Sequence, residues 1–130
     1  MSEAVIIDAI RTPFGKRKGV LRDSRPDSLL AYAVRALVDR TGVVEDKLDD
    51  FIAGCVSQAG EQGANVGRLA VLLSGLPTRV AGVSLNRMCG SSQQAVHFAA
   101  QAIAAGDAKY VIAGGVESMS RVPMFLDVTL

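Results

Sequence analysis

An α/β fold built on a parallel sheet is the architecture that this 130-residue sequence predicts. Short apolar runs alternate with longer amphipathic segments along the chain, and the connections between them are short. In such an order each helix crosses from one strand to the next in right-handed fashion, which makes the strands parallel. The length suits one domain, and 49% hydrophobic residues are enough to build its core.

Four apolar runs bounded by turn-forming residues are typical of buried strands. They are residues 4–9, 51–57, 80–86 and 109–114. The first, AVIIDA, is rich in β-branched side chains and precedes the turn-forming sequence RTPFG. We refer to the four runs as predicted strands one to four.

Three helical segments separate these runs. The first, DSLLAYAVRALVDRTG, has apolar residues at helical spacing between Pro26, a typical start, and Gly42, a typical end. In the second, Asn65 caps VGRLAVLLS and Gly75 follows its last turn. The third, SSQQAVHFAAQAIAAG, is expected to end at Gly106.

Charge and cysteine content exclude several classes of protein. Fourteen basic against thirteen acidic residues give a net charge of +1, which indicates neither nucleic acid nor an anionic membrane as a partner. No apolar run approaches the roughly 20 residues of a membrane span, and Glu3 and Asp8 interrupt the only early one. Two cysteines and one histidine, His97, are too few for a disulfide framework or a zinc site. We therefore expect a reduced, cytoplasmic protein without a metal.

Cys89 is the candidate nucleophile. It lies in the turn between predicted strand three and the third helix, where parallel sheets bind ligands and where a helix start favours a thiolate. Gly90 leaves room for a reacting carbonyl, as in the nucleophile elbow of hydrolases. Its position alone leaves open the alternative that Cys89 is a small buried hydrophobe.

Three motifs, in order along the chain, resemble the N-terminal part of the thiolase family of acetyl-CoA acetyltransferases and 3-ketoacyl-CoA thiolases. RTPFGK follows predicted strand one, NRMCGSSQQAV holds Cys89, and AGGVESMS follows predicted strand four. The resemblance spans essentially the whole chain. It implies that Cys89 takes up an acyl group as a thioester, which coenzyme A or the enolate of acetyl-CoA then attacks. Coenzyme A and acyl-CoA would be substrates, with no permanently bound cofactor, in fatty acid metabolism.

The same resemblance implies an architecture and an assembly. Residues 1–119 would form a thiolase-type N-terminal domain with strand order 3-2-1-4, and residues 120–130 would begin the loop region. A fifth strand, the loop domain and the C-terminal domain would be missing, so we expect a truncated chain. Thiolases pair strand three with its own copy across a twofold axis, which implies a homodimer or a dimer of dimers.

Three of the four catalytic groups that the resemblance calls for do not occur in this sequence. The GHP, CxG and NEAF motifs of the family, which carry its histidine, second cysteine and asparagine, are absent. His97 lies about 12 Å along the helix axis from Cys89 and cannot be its base. We therefore expect the isolated chain to lack turnover. The alternatives are a ketosynthase-like condensing enzyme and a non-catalytic thiolase-fold fragment.

The other notable residues have structural interpretations. Cys55 in predicted strand two is expected to be buried. Met88, next to Cys89, is expected to pack in the core, and contact with the acyl chain is the alternative. Residues 11–25 hold six basic side chains and one acidic one, which indicates a solvated loop more than a phosphate site, so no coenzyme A contacts are assigned. Gly60 and Gly63 match no phosphate-binding motif.

Two glycines at the end of predicted strand four, Gly114 and Gly115, indicate a close approach of the backbone to a neighbouring element. Glu117 and Ser118 follow them and are expected to turn toward the region of Cys89. We interpret all four residues as structural.

Overall fold

The computed structural model describes residues 3–129. Met1 and Ser2, at the start of the predicted domain 1–119, and Leu130, at the end of the predicted region 120–130, lie outside the described residues. The elements in chain order are α1 (Pro26–Thr41), β1 (Asp50–Gly54), α2 (Val66–Leu73), β2 (Val83–Leu85), α3 (Ser91–Ala105), β3 (Val111–Gly115) and α4 (Leu126–Thr129). Short 3-10 turns at Glu45–Lys47 and Gly60–Gln62 join them. Strands and helices alternate as predicted, and the α/β fold class is confirmed.

The sheet has three parallel strands in the order β2-β1-β3. In the middle strand, Ile52 pairs with Val83 of β2 on one side and with Ala113 of β3 on the other. All three carboxyl ends therefore lie at the same edge of the sheet. The loops that follow the strands meet there.

Helices cover both faces of the sheet because successive strand residues point to opposite sides. Phe51 and Ala53 of β1 belong to the larger apolar cluster, which contains the buried side chains of α1 and α2. Ile52, between them, packs on the other face with Ala95 and Ala99 of α3. The result is a three-layer arrangement in which β1 is buried from both sides.

The helix ends follow the predicted signals. Gly42 after α1 and Gly106 after α3 adopt positive φ of 63° and 85°, where glycine avoids the strain that a side chain would cause. At the start of α2, Asn65 Oδ1 accepts a hydrogen bond from the Arg68 N–H, as its capping position predicts.

The prediction of a strand at residues 4–9 is wrong, and the predicted strand order 3-2-1-4 is therefore wrong as well. Residues 4–9 form no strand, and Ile6 in their middle is 78% exposed. The reason is that β3 pairs directly with β1, which leaves no position between them. Instead, the Arg40 guanidinium binds the Asp8 carboxylate and the Ala9 carbonyl and holds the segment against the end of α1.

The remaining strands are shorter than predicted or shifted by a few residues. β2 covers Val83–Leu85 instead of residues 80–86, and Cys55 lies one residue beyond the end of β1 instead of within a strand. The described residues form no helix with the length and apolarity that a bilayer crossing needs.

Candidate functional site

Cys89 lies in the five-residue turn from β2 to α3, at the carboxyl edge of the sheet. The residue is exposed and its thiol is free. α3 begins two residues later at Ser91, so the thiol lies beside the first turn of a 15-residue helix. Backbone N–H groups in a first turn lack partners within the helix and carry a partial positive charge. Cys89 therefore lies next to the end of α3 that carries this partial positive charge.

The backbone just before Cys89 is strained and held by side chains. Met88 has a φ of 46°, a left-handed conformation that costs about 1–2 kcal/mol for a residue with a Cβ. Asn86 Oδ1 accepts the Met88 N–H at 2.8 Å. The buried Ser91 hydroxyl accepts the Arg87 N–H at 2.9 Å and donates to the Met88 carbonyl at 2.6 Å. The turn is thus fixed from both ends.

Two strand-end glycines allow the first turn of α3 to lie directly on the sheet. A Cβ on Gly54 would come within 2.4 Å of the Ser92 backbone nitrogen. A Cβ on Gly115 would come within 2.1 Å of Ser92 Oγ and 2.3 Å of the Gly54 carbonyl oxygen. The predicted close approach is confirmed at Gly115. It is wrong for Gly114, where a Cβ would have no neighbour within 4 Å, because alternate strand residues face opposite sides.

Glu117 turns back over the end of β1. Its carboxylate accepts the N–H groups of Val56 at 2.8 Å and Ser57 at 3.3 Å, and the side-chain amide of Gln62 at 2.7 Å. Gln62 is fully buried, and its remaining polar contacts are to the Ser57 carbonyl and the Ser118 N–H. The predicted structural character of Glu117 and Ser118 agrees with these bonds. Gln62 is not among the residues that the sequence singles out.

The two cysteines have opposite environments. Cys55 is 1% exposed, as predicted. Removal from water, with smaller effects from the Glu117 and Asp127 carboxylates, raises the pKa of Cys55 to about 12. His97 lies on the exposed side of α3, six residues past its first residue. Of the two thiols, only that of Cys89 is accessible to a substrate.

Met88 does not pack in the core, and this prediction is wrong. Its side chain is 69% exposed because the left-handed backbone turns it away from the sheet. The Asn86 and Ser91 roles were also missed. Asparagine before a turn commonly bonds a backbone N–H two residues later, so the Asn86 contact had a recognisable sequence signal.

The basic segment 11–25 lies beside a different region. A cavity of about 450 Å³ separates residues 10–17 from residues 115–120, and Cys89 does not line it. The Arg11 guanidinium stacks on Phe14 at 4.3 Å, and Arg25 pairs with Asp27 and Glu61. Residues 3–129 contain no cluster of three or more side chains that could hold a metal ion.

A family model, several relatives and a solved structure all match this chain. The family model for the thiolase N-terminal domain matches residues 4–130. A β-ketoadipyl-CoA thiolase of Acinetobacter baylyi is 52% identical over 95% of this chain, which spans 31% of that protein. A steroid 3-ketoacyl-CoA thiolase of Mycobacterium tuberculosis is 50% identical over 95% of the chain, which spans 30% of it. The crystal structure of an acetyl-CoA acetyltransferase of Bacillus anthracis superposes with a TM-score of 0.90 at 37% identity, over 95% of this chain and 31% of that one.

Proposed function

The chain belongs to the thiolase family through its N-terminal domain, and from that premise we propose that Cys89 is the acyl-accepting nucleophile of an acyltransferase that uses coenzyme A thioesters. The observation that carries the proposal is the exposed thiol of Cys89, held by a strained turn between the end of β2 and the first turn of α3. Nucleophiles need this combination of access, fixed geometry and a positive environment.

In the first half of the condensation direction, the Cys89 thiolate attacks the carbonyl carbon of an acyl-CoA. The new S–C bond forms a tetrahedral oxyanion, which collapses as the thiolate of coenzyme A leaves and takes up a proton. A thiolate suits this exchange because it is both a good nucleophile and a good leaving group. In the second half, the enolate of acetyl-CoA attacks the acyl-cysteine, the S–C bond breaks, and the Cys89 thiolate leaves. Thiolysis runs these steps in reverse: Cys89 attacks the 3-keto carbon, the bond between C2 and C3 breaks as acetyl-CoA leaves, and coenzyme A then takes the acyl group from Cys89.

The substrate class of the whole protein is part of the proposal. The two relatives are named for 3-ketoacyl-CoA thioesters, and the structural match for acetyl-CoA. We propose thiolysis of a 3-ketoacyl-CoA, or its reverse condensation, as the complete reaction. Among residues 3–129 the only histidine is too far along α3 to act as base for Cys89, so this chain would supply the nucleophile and not the proton transfers.

We expect the 130-residue chain to be acetylated once, slowly, at Cys89 by acetyl-CoA, and to show no steady-state turnover. A missing acid/base group costs about 10²- to 10⁴-fold in rate, which leaves single transfer observable over hours but not a cycle. Peptide mass mapping after incubation with acetyl-CoA measures the first part, and release of free coenzyme A thiol measures the second.

Matched variants identify the acceptor in this experiment. Cys89→Ser is expected to remove the added acetyl group, whereas Cys55→Ser is expected to leave it unchanged. Acetylation that persists in Cys89→Ser would contradict the proposed nucleophile. Sustained thiolysis by the pure chain would show that a base lies within it, and a folded chain that is never acetylated would support the non-catalytic alternative.

We propose that the outer edge of β2 pairs with its copy in a homodimer. β2 has a neighbour on one side only, and Val83 in it is 44% exposed. The Phe51 and Cys55 N–H groups bond the carbonyls of Ala81 and Leu85, so the odd-numbered residues of this strand direct their backbone groups to β1. Ser84 therefore directs its own to the free edge.

This geometry makes two proline variants behave differently. Val83→Pro is expected to break pairing with β1 and to destabilise the fold, because proline removes a hydrogen bond of the ladder. Ser84→Pro is expected to stay folded and weaken the dimer. Light scattering after size exclusion and urea unfolding measure the two effects.

Ser84→Ala is the control in this comparison, because the Ser84 hydroxyl also accepts the Gly67 N–H and donates to Asn65. Any loss of dimerisation or of folding free energy that both Ser84 variants share results from removal of that hydroxyl. If Ser84→Pro dimerises as well as Ser84→Ala, the subunits are held together elsewhere.

We also propose a cellular compartment and the limits of the domain. Both cysteines are free, which supports a reducing, cytoplasmic environment. We assign residues 1–119 to the thiolase N-terminal domain and residues 120–130 to the start of the following region. The irregular chain after β3, which ends in the four-residue α4, supports that division.

A further inference from the structure

A continuous chain of hydrogen bonds runs from Glu117 to the turn that carries Cys89. Glu117 holds the Val56 N–H at 2.8 Å, and the Val56 carbonyl accepts Asn86 Nδ2 at 3.0 Å. Asn86 Oδ1 in turn accepts the Met88 N–H at 2.8 Å. The three side-chain contacts join the loops that follow β3, β1 and β2, in that order.

We infer that Asn86 and Glu117 are positioning residues for the nucleophile, an inference that rests on the proposed role of Cys89. Asn86 makes one bond to the left-handed Met88 and another to the neighbouring loop. The side chain therefore fixes the strained residue relative to the sheet, not only relative to its own turn. Without it, Met88 has a lower-energy right-handed conformation to relax into, which would redirect Cys89.

Glu117 acts one step further away. Three donors converge on its carboxylate, from Val56, Ser57 and Gln62. An ionised carboxylate accepts all of them, whereas an amide of the same shape would direct its own N–H groups at donors. Glu117→Gln is therefore expected to release residues 56–57, and with them the Val56 carbonyl that holds Asn86.

Hydrogen exchange of single backbone amides in the full 130-residue chain tests this coupling. Each side-chain hydrogen bond contributes about a fivefold change in an equilibrium. In Glu117→Gln we expect the Met88 amide to exchange about fivefold faster, measured relative to the Arg68 amide. Arg68 is the reference because its N–H is held by an asparagine side chain in the same way, at the start of α2. In Asn86→Ala the relative rate is expected to rise further.

Two further variants separate positioning from general destabilisation. Glu61→Gln removes a carboxylate that pairs with Arg121 and Arg25, outside the chain of bonds, and is expected to leave the Met88 rate unchanged relative to Arg68. Asn86→Ser keeps a short side-chain acceptor for the Met88 N–H and is expected to restore part of its protection. An unchanged relative rate at Met88 in Glu117→Gln would overturn the inference.

Acetyl transfer to Cys89 is the functional measurement, and it should fall about tenfold in Asn86→Ala and less in Glu117→Gln. If Met88 exchange responds as expected while the unmodified chain is never acetylated, the coupling is upheld and the proposed nucleophile fails. If the unmodified chain is acetylated and both variants match its rate, the nucleophile is upheld and the positioning role fails.

Discussion

Iodoacetamide is expected to alkylate Cys89 at least about a hundred times faster than Cys55 in the folded chain near neutral pH. The thiolate is the reacting species, and burial raises the pKa of Cys55 to about 12. That shift lowers the reactive fraction of Cys55 about a thousandfold relative to an ordinary cysteine. Its 1% exposure adds a steric barrier, whereas Cys89 is exposed. Peptide mass mapping after brief labelling measures both rates at once.

Unfolding supplies the control for this result. In strong denaturant the two cysteines should label at similar rates, because the difference comes from the fold and not from the peptide sequence. Faster labelling of Cys55 in the folded chain, or equal labelling of both, would contradict the environments described for β1 and the turn.

Gly54→Ala and Gly115→Ala are expected to be the most destabilising single-methyl changes near the site. Each new Cβ would meet backbone closer than 3.0 Å: Gly54→Ala the chain at Ser91 and Ser92, and Gly115→Ala the Gly54 carbonyl. Relief requires α3 to move away from the sheet in Gly54→Ala and β3 to move away from β1 in Gly115→Ala, and overpacking of this kind costs about 1–3 kcal/mol. Urea unfolding measures the loss, and the same movement should slow acetyl transfer to Cys89.

Gly114→Ala is the matched control, since it adds the same methyl group to the same strand. A Cβ there has no neighbour within 4 Å, and we expect its unfolding midpoint to lie close to that of the unmodified chain. Equal losses at positions 114 and 115 would mean that the cost arises from strand conformation and not from the contacts of the new Cβ with Gly54 and Ser92.

Local signals made the helices predictable. Asn65, Gly42 and Gly106 act through the few residues beside them, so their effect can be seen in sequence. Predicted strand one shows the opposite case. AVIIDA has the composition of a strand, but a strand also needs a neighbour, and both edges of β1 are already occupied by β2 and β3. Composition does not encode which neighbour is present.

The residues of the site also fall into those that the sequence could predict and those that it could not. Cys89 could be singled out from its turn, from the following helix and from motif resemblance. Gln62 could not, because its partners Glu117 and Ser118 lie 55 and 56 residues away along the chain. Met88 was misjudged because methionine is usually buried, whereas its left-handed backbone, stabilised by Asn86, exposes it here.

The central position of β1 also sets the order in which the protein can assemble during its synthesis. Both neighbours of this strand are made after it, and the second, β3, begins only at Val111. At 5–20 residues per second, the ribosome needs roughly 3 to 11 s to pass from Gly54 to that point. For those seconds Phe51 and Ile52 belong to a nascent strand without its full covering. The most buried part of the sheet is therefore the part that a growing chain exposes longest, and the step at which a chaperone would have most effect.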